Sequence, residues 1–156
     1  MTRQIPRRSF LAGMTVLAGL PATLQAGPGP EIHVLKDPNC GCCEAWMRIL
    51  RQDGFRVTSE TSMGVALMRR KIDLGVPQSM VSCHTAEIGG YVVEGHVPPA
   101  DIRRLLAERP DAAGLAVPGM PFGSPGMGPE DRREAYDVNL IRHDGTTDIF
   151  TRYEAA

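Results

Sequence analysis

The sequence predicts an α/β domain, and three observations carry that prediction. Through residues 31–110, short apolar runs at period two alternate with segments patterned at helical spacing. The chain has 156 residues, one domain's worth. Its 42% apolar and 22% charged residues are ordinary for a globular protein and exclude wholesale disorder or a coiled coil. Aromatics are only 5%, so the core is mostly aliphatic. The 17 glycines and 13 prolines imply much turn and loop. A net charge of −1 with scattered arginines gives no case for a nucleic-acid partner.

The first segment reads as an address. Residues 1–26 contain no Asp or Glu; Arg3, Arg7 and Arg8 precede a mild apolar run over 10–20, then Pro21 and a small residue, Ala26. That is the layout of a secretory signal. The run Arg7-Arg8-Ser9-Phe10-Leu11 looks like a twin-arginine export motif. The apolar run falls well short of the ~20 residues a membrane span needs, and no later segment could span. Residues 27–156 are then the mature domain. Loss of three arginines and no acid takes the charge from −1 to −4. The implied compartment is a bacterial periplasm, where thiols are oxidised or held by metal.

The elements follow in order. Residues 31–37 read as a strand with Ile32 and Val34 on one face. Pro38 and Asn39 turn the chain into a helix of about three turns, with Asn39 or Cys40 at its start. Its face carries Cys42, Trp46, Ile49 and Leu50, and Gly54 ends it. Residues 55–58 form a second strand. Ser62 caps a second helix whose inner face is Val65, Met68 and Ile72, closed by Gly75. Residues 80–83 are a third strand, and Gly89-Gly90 turns into a fourth over 91–93. Pro98-Pro99 opens a third helix with Ile102, Leu105 and Leu106 inward, stopped by Pro110. The stretch 114–128 has too many glycines and prolines for any regular element. A C-terminal hairpin turns at Asp144-Gly145.

The resulting order, β-α-β-α-β-β-α plus a long Gly/Pro/Met loop and a C-terminal β-hairpin, is thioredoxin-like. In that fold a cysteine motif opens the first helix and a cis-proline precedes the third strand beside it. Cys40–Cys43 and Val76-Pro77 fall in those places.

Cys40-Gly41-Cys42-Cys43 is a C-x-x-C spacing with an extra cysteine inside it. A helix N-terminus stabilises thiolate, which is both the nucleophile of disulfide exchange and the ligand of soft metals. Three readings stand: a metal cluster, a redox site and structural disulfides. A dithiol oxidoreductase needs two sulfurs; a thiolate cluster around Cu(I) uses all four, Cys83 included, and a sulfur can bridge two ions. Zinc sites usually space their ligands in two separated pairs, unlike this knot. Met120 and Met127 lie in the loop, where no core pattern demands them, and are candidate soft ligands; Met47, Met68 and Met80 read as core. His84 and His96 are lesser candidates, His84 being expected on the opposite strand face from Cys83. His33 and His143 read as ordinary strand positions. No Ser-His-Asp order, phosphate loop or paired-carboxylate pattern appears.

Residues 34–43 (VLKDPNCGCC) resemble the N-terminal motif of the periplasmic CopG-type copper-resistance proteins, formerly a domain of unknown function and distinct from the plasmid repressor of the same name. Residues 76–77 (VP), 80–87 (MVSCHTAE), 90–98 (GYVVEGHVP) and 117–127 (VPGMPFGSPGM) resemble its further motifs. The chain departs from the pattern at Gly128, where the family has an acidic residue. The resemblance implies a thioredoxin-like fold and a cysteine-bridged, multinuclear Cu(I) site on Cys40, Cys42, Cys43 and Cys83. It also leaves room for oxidoreductase chemistry.

The expectation is an exported copper-binding protein serving copper tolerance, with copper ions as ligand and periplasmic copper-handling or efflux proteins as partners. The alternative is a thiol–disulfide or copper-linked oxidoreductase with Cys40 attacking and Cys43 resolving. A disulfide-stapled binding module without metal is the third.

Overall fold

The computed structural model describes residues 29–156, so the signal reading of residues 1–26 lies outside the described residues. In β1 (Glu31–Lys36), Ile32 and Val34 are buried on one face, as their alternation requires. Asp37 then forms an Asx turn, its Oδ1 accepting the Asn39 N–H at 2.8 Å, and its carbonyl accepts the Cys40 N–H at 3.1 Å. Helix α1 (Gly41–Gln52) follows, with Cys40 as its N-cap. It buries Cys43, Trp46, Met47 and Leu50, the i, i+3, i+4, i+7 stripe of an amphipathic helix. The stripe sits slightly round from the predicted one, with Ile49 and Cys42 half-buried at its edge.

Next come β2 (Arg56–Thr61), α2 (Gly64–Asp73), β3 (His84–Ile88) and β4 (Tyr91–Glu94). Then α3 (Pro99–Glu108), β5 (Gly114–Ala116), β6 (Tyr136–Ile141) and β7 (Thr147–Tyr153) complete the fold. The seven strands form one mixed sheet in the order β2-β1-β3-β4-β5-β6-β7. Strands β1 and β2 are parallel, joined across α1; β4 and β5 are parallel, joined across α3; the other neighbours are antiparallel. Alternation along the strands divides the core. Val93, Leu115 and Leu140 join Trp46, Leu50, Ile102 and Leu105 beneath α1 and α3. Their neighbours Val92, Ala116 and Ile141 pack with Val76 on the α2 side. The order β-α-β-α-β-β-α through α3 and the closing hairpin are as the sequence predicts.

Six expectations are corrected. Ser62 does not cap α2: its N–H extends the sheet by donating to Lys36 O at 2.9 Å, and Met63 takes the N-cap position without a side-chain bond. The face of α2 is reversed. Val65, Met68 and Ile72 are 86%, 41% and 61% exposed, while Leu67 and Lys71 are buried. The cause lies beneath the helix, where the sheet presents a buried carboxylate, Glu94, that draws in the Lys71 ammonium. Residues 80–83 are not a strand. A 3-10 turn (Gln78–Met80) and one bridge from Ser82 to Gly119 lead into β3, which starts at His84. Pro77 accordingly does not sit at a strand start, and no cis peptide occurs among the described residues. Residues 114–116 do form a strand, because Gly114 lets the backbone pass against Val92: a Cβ there would lie 1.8 Å from the Val92 carbonyl oxygen. His143 lies in the turn between β6 and β7, beyond the strand.

Candidate metal centre

The four cysteines converge although forty residues separate Cys43 from Cys83. Their sulfurs lie within 4.8 Å of one another. Cys40 and Cys43, the C-x-x-C pair, are joined as a disulfide, while Cys42 and Cys83 are free. The Cys42 sulfur is 3.5 Å from Cys40 and 3.9 Å from Cys83, and the Cys83 sulfur is 3.7 Å from Cys43. Two thiolates on one metal at bonds of ~2.3 Å stand about 3.8 Å apart at a tetrahedral angle, so these separations suit a shared thiophilic ion once the Cys40–Cys43 disulfide is reduced. Helix α1 supplies three of the sulfurs at its N-terminus, where the backbone dipole favours thiolate. The fourth comes from the segment between the 3-10 turn and β3.

Two imidazoles complete the wall. Cys83 Sγ lies 3.2 Å from His84 Nδ1 and 3.2 Å from His96 Nε2, and both rings are fully buried. His96 Nδ1 is 2.7 Å from the Pro125 carbonyl, which requires a proton on Nδ1 and leaves Nε2 as an acceptor facing the Cys83 thiol. His84 Nε2 is buried without a hydrogen-bond partner among the described residues. Burial pushes both imidazoles below their ordinary range, His84 furthest, aided by neighbouring His96 and Lys71. Burial, with Cys42 beside it, pushes the Cys83 thiol up to about 12. The two imidazoles and the Cys83 thiol are thus neutral, and a thiophilic cation taking that sulfur must displace its proton. His84 was expected to face away from Cys83. It does not, because Cys83 precedes the strand and strand alternation does not govern it.

Trp46 and the glycine-rich loop shape the pocket. The Trp46 ring lies 4.3 Å from the His84 ring, and its Nε1 donates to Val97 O at 2.9 Å. Residues 117–128 fold back over the start of α1, bringing Pro125 to His96. Gly126 makes this possible: a Cβ there would lie 2.8 Å from Trp46 N and 3.0 Å from Cys42 O. Of the two loop methionines, Met120 is 55% exposed and Met127 half-buried. Sequence reasoning missed Trp46 as a wall, Gly126 as the loop's contact point, and the buried Lys71–Glu94–Thr85 group behind Cys83. Only Glu94, a carboxylate in an otherwise apolar strand, could have hinted at the last.

Solved structures resemble this chain over most of its length. A family described as a protein of unknown function, DUF411, matches residues 80–127, the stretch carrying Cys83, both histidines and the loop. No curated protein matches the chain. A solved structure of a copper resistance protein, CopG in its form 1, shares 46% identity over 83% of this chain and all of that one, with a TM-score of 0.76. The form 2 structure shares 47% identity over 80% of this chain and 98% of that one, with a TM-score of 0.75. At that identity and coverage, with a cysteine cluster able to hold a metal ion, the chain belongs to the CopG family of copper resistance proteins.

Proposed function

We propose that this chain is an exported, periplasmic copper-binding protein that serves copper tolerance and that, with the Cys40–Cys43 pair reduced to thiols, holds Cu(I) on Cys40, Cys42, Cys43 and Cys83, several ions per chain. The convergence of four sulfurs from two distant segments carries the reading. A dithiol redox site has no use for Cys42 and Cys83, whereas bridging thiolates employ all four. His84 and His96, on Cys83, stand as the next ligands out; Met120 and Met127 are candidates on the loop. Residues 1–26 are the export signal of this reading and 27–156 the domain it delivers. Copper-handling or efflux proteins of the same compartment are its partners.

The test is copper bound per chain in reduced protein across four single Cys→Ser variants, by elemental analysis. Cys83→Ser and Cys42→Ser should each lower loading as much as Cys40→Ser or Cys43→Ser. Full loading in both of the first two refutes the cluster.

One observation favours a second reading. The Cys40–Cys43 disulfide is the pair a thiol–disulfide or copper-linked oxidoreductase uses, with Cys40 attacking and Cys43 resolving. That reading requires turnover that survives Cys42→Ser and is lost with either member of the pair.

A further inference from the structure

We infer that Glu94 is a positioning residue of the cysteine site: from the opposite face of the sheet its carboxylate holds the Ser82 peptide, and so sets where the Cys83 sulfur stands. The inference rests on the four-cysteine reading above.

Glu94 ends β4 and is fully buried. It shares the α2 side of the sheet with Val92, away from Trp46 and the cysteines of α1. Three segments donate to it. Lys71 Nζ of α2 lies 2.6 Å from Oε1, the Ser82 N–H donates to the same oxygen at 2.7 Å, and the Thr85 hydroxyl of β3 donates to Oε2 at 2.5 Å. Lys71 also donates to Thr85 Oγ1 at 2.7 Å. Every member of the group is thereby tied to another.

Ser82 is the peptide neighbour of Cys83 and lies in no regular element. Among the described residues, its remaining ties are to Gly119, through the bridge and through its hydroxyl. Gly95 packs directly against it: a Cβ there would lie 2.7 Å from Ser82 Cβ. The carboxylate is therefore the side-chain acceptor that anchors an otherwise irregular segment. The demand on that anchor is strict. The Cys83 sulfur stands 3.7 Å from Cys43 and 3.9 Å from Cys42, and a displacement of about 1 Å would break both spacings. A buried ion pair is a poor source of stability, since desolvation offsets its attraction. What it supplies here, and an apolar pair cannot, is a fixed acceptor for the Ser82 N–H.

Two double variants separate the acceptor from the charge. Lys71→Met/Glu94→Gln removes both charges but keeps a carbonyl for Ser82, with the Gln amide donating to Thr85. Lys71→Met/Glu94→Leu removes the acceptor as well. In reduced, metal-free protein, iodoacetamide labelling read by peptide mass gives the rate at Cys83 relative to Cys42. General loosening speeds both sites and leaves the ratio alone. The Leu double variant should raise the ratio and weaken copper binding by about tenfold or more, while the Gln double variant stays near wild type. Equal ratios in two cooperatively melting double variants overturn the inference. Should the Leu variant fail to fold, Glu94→Asp, one methylene shorter, takes its place; an unchanged ratio there overturns the inference as well. Cys83→Ser is run alongside for copper loading. Full loading in it defeats the four-cysteine reading, whereas an unchanged labelling ratio defeats only the role of Glu94.

Discussion

Replacing Gly126 with alanine should lift the glycine-rich loop from the first turn of α1, and the structure sets the size of the effect. Gly126 has φ +88°, where an L side chain costs about 1–2 kcal/mol. The added Cβ would also lie 2.8 Å from Trp46 N, 3.0 Å from Cys42 O and 3.2 Å from Trp46 Cα. Ordinary contact begins near 3.4 Å, so the loop must withdraw by about 0.6 Å at the closest of these. All three atoms are helix backbone and cannot swing aside. Overpacking of that kind costs typically about 1–3 kcal/mol, for a total of roughly 2–5 kcal/mol. Gly145→Ala is the control. Its φ is +82° and open space surrounds the new Cβ, so it should lose only the backbone part, about 1–2 kcal/mol. Urea unfolding of reduced, metal-free protein measures both through the midpoint at constant slope. Fluorescence of Trp46, the only tryptophan in the chain, reports the lid: Gly126→Ala should shift its emission to the red and Gly145→Ala should not. If Gly126→Ala loses no more stability than Gly145→Ala and leaves the emission unmoved, the loop does not press on the helix as argued.

Two further expectations concern export and alkaline pH. Arg7→Lys with Arg8→Lys should leave precursor in the cytoplasm by immunoblot of cell fractions; normal export would refute the twin-arginine route while leaving the compartment open. Burial pushes the Tyr136 phenol up to about 12, and burial with a hydrogen bond to Asp101 pushes Tyr153 up as well, against an ordinary value of about 10. Above pH ~10 the unfolded chain gives up both protons while the folded chain keeps them, so the folded state binds more protons and stability falls as pH rises from ~10 toward ~12. The urea midpoint should drop over that window, and Tyr136→Phe/Tyr153→Phe should flatten the fall; an equally steep fall in the double variant refutes it.

Much of this protein is legible in its sequence because local physics decides it. The alternation of Ile32 and Val34, the stripe through Trp46 and Leu50, the Gly89-Gly90 and Asp144-Gly145 turns and the Pro98-Pro99 helix start each act over a few residues, and each produced the expected element. The cysteine knot was equally plain, since a helix N-terminus favours thiolate whatever surrounds it. Where the sequence misled, a long-range partner intervened. Val65, Met68 and Ile72 have the spacing of a core face, yet α2 turns Lys71 inward because a carboxylate twenty-three residues on waits beneath it. Residues 80–83 have the composition of a strand, yet Ser82 pairs with Gly119 and Glu94 instead, and the 3-10 turn before it takes the bend expected of a cis-proline. Cys83 therefore escapes strand alternation, and His84 and His96 can both meet its sulfur. The sequence by itself determined which sulfurs are candidate metal ligands and on which helix three of them stand. Only the tertiary structure decided how the fourth sulfur, the two imidazoles and the covering loop reach them, because sheet order and a buried ion pair are set by contacts no local pattern records.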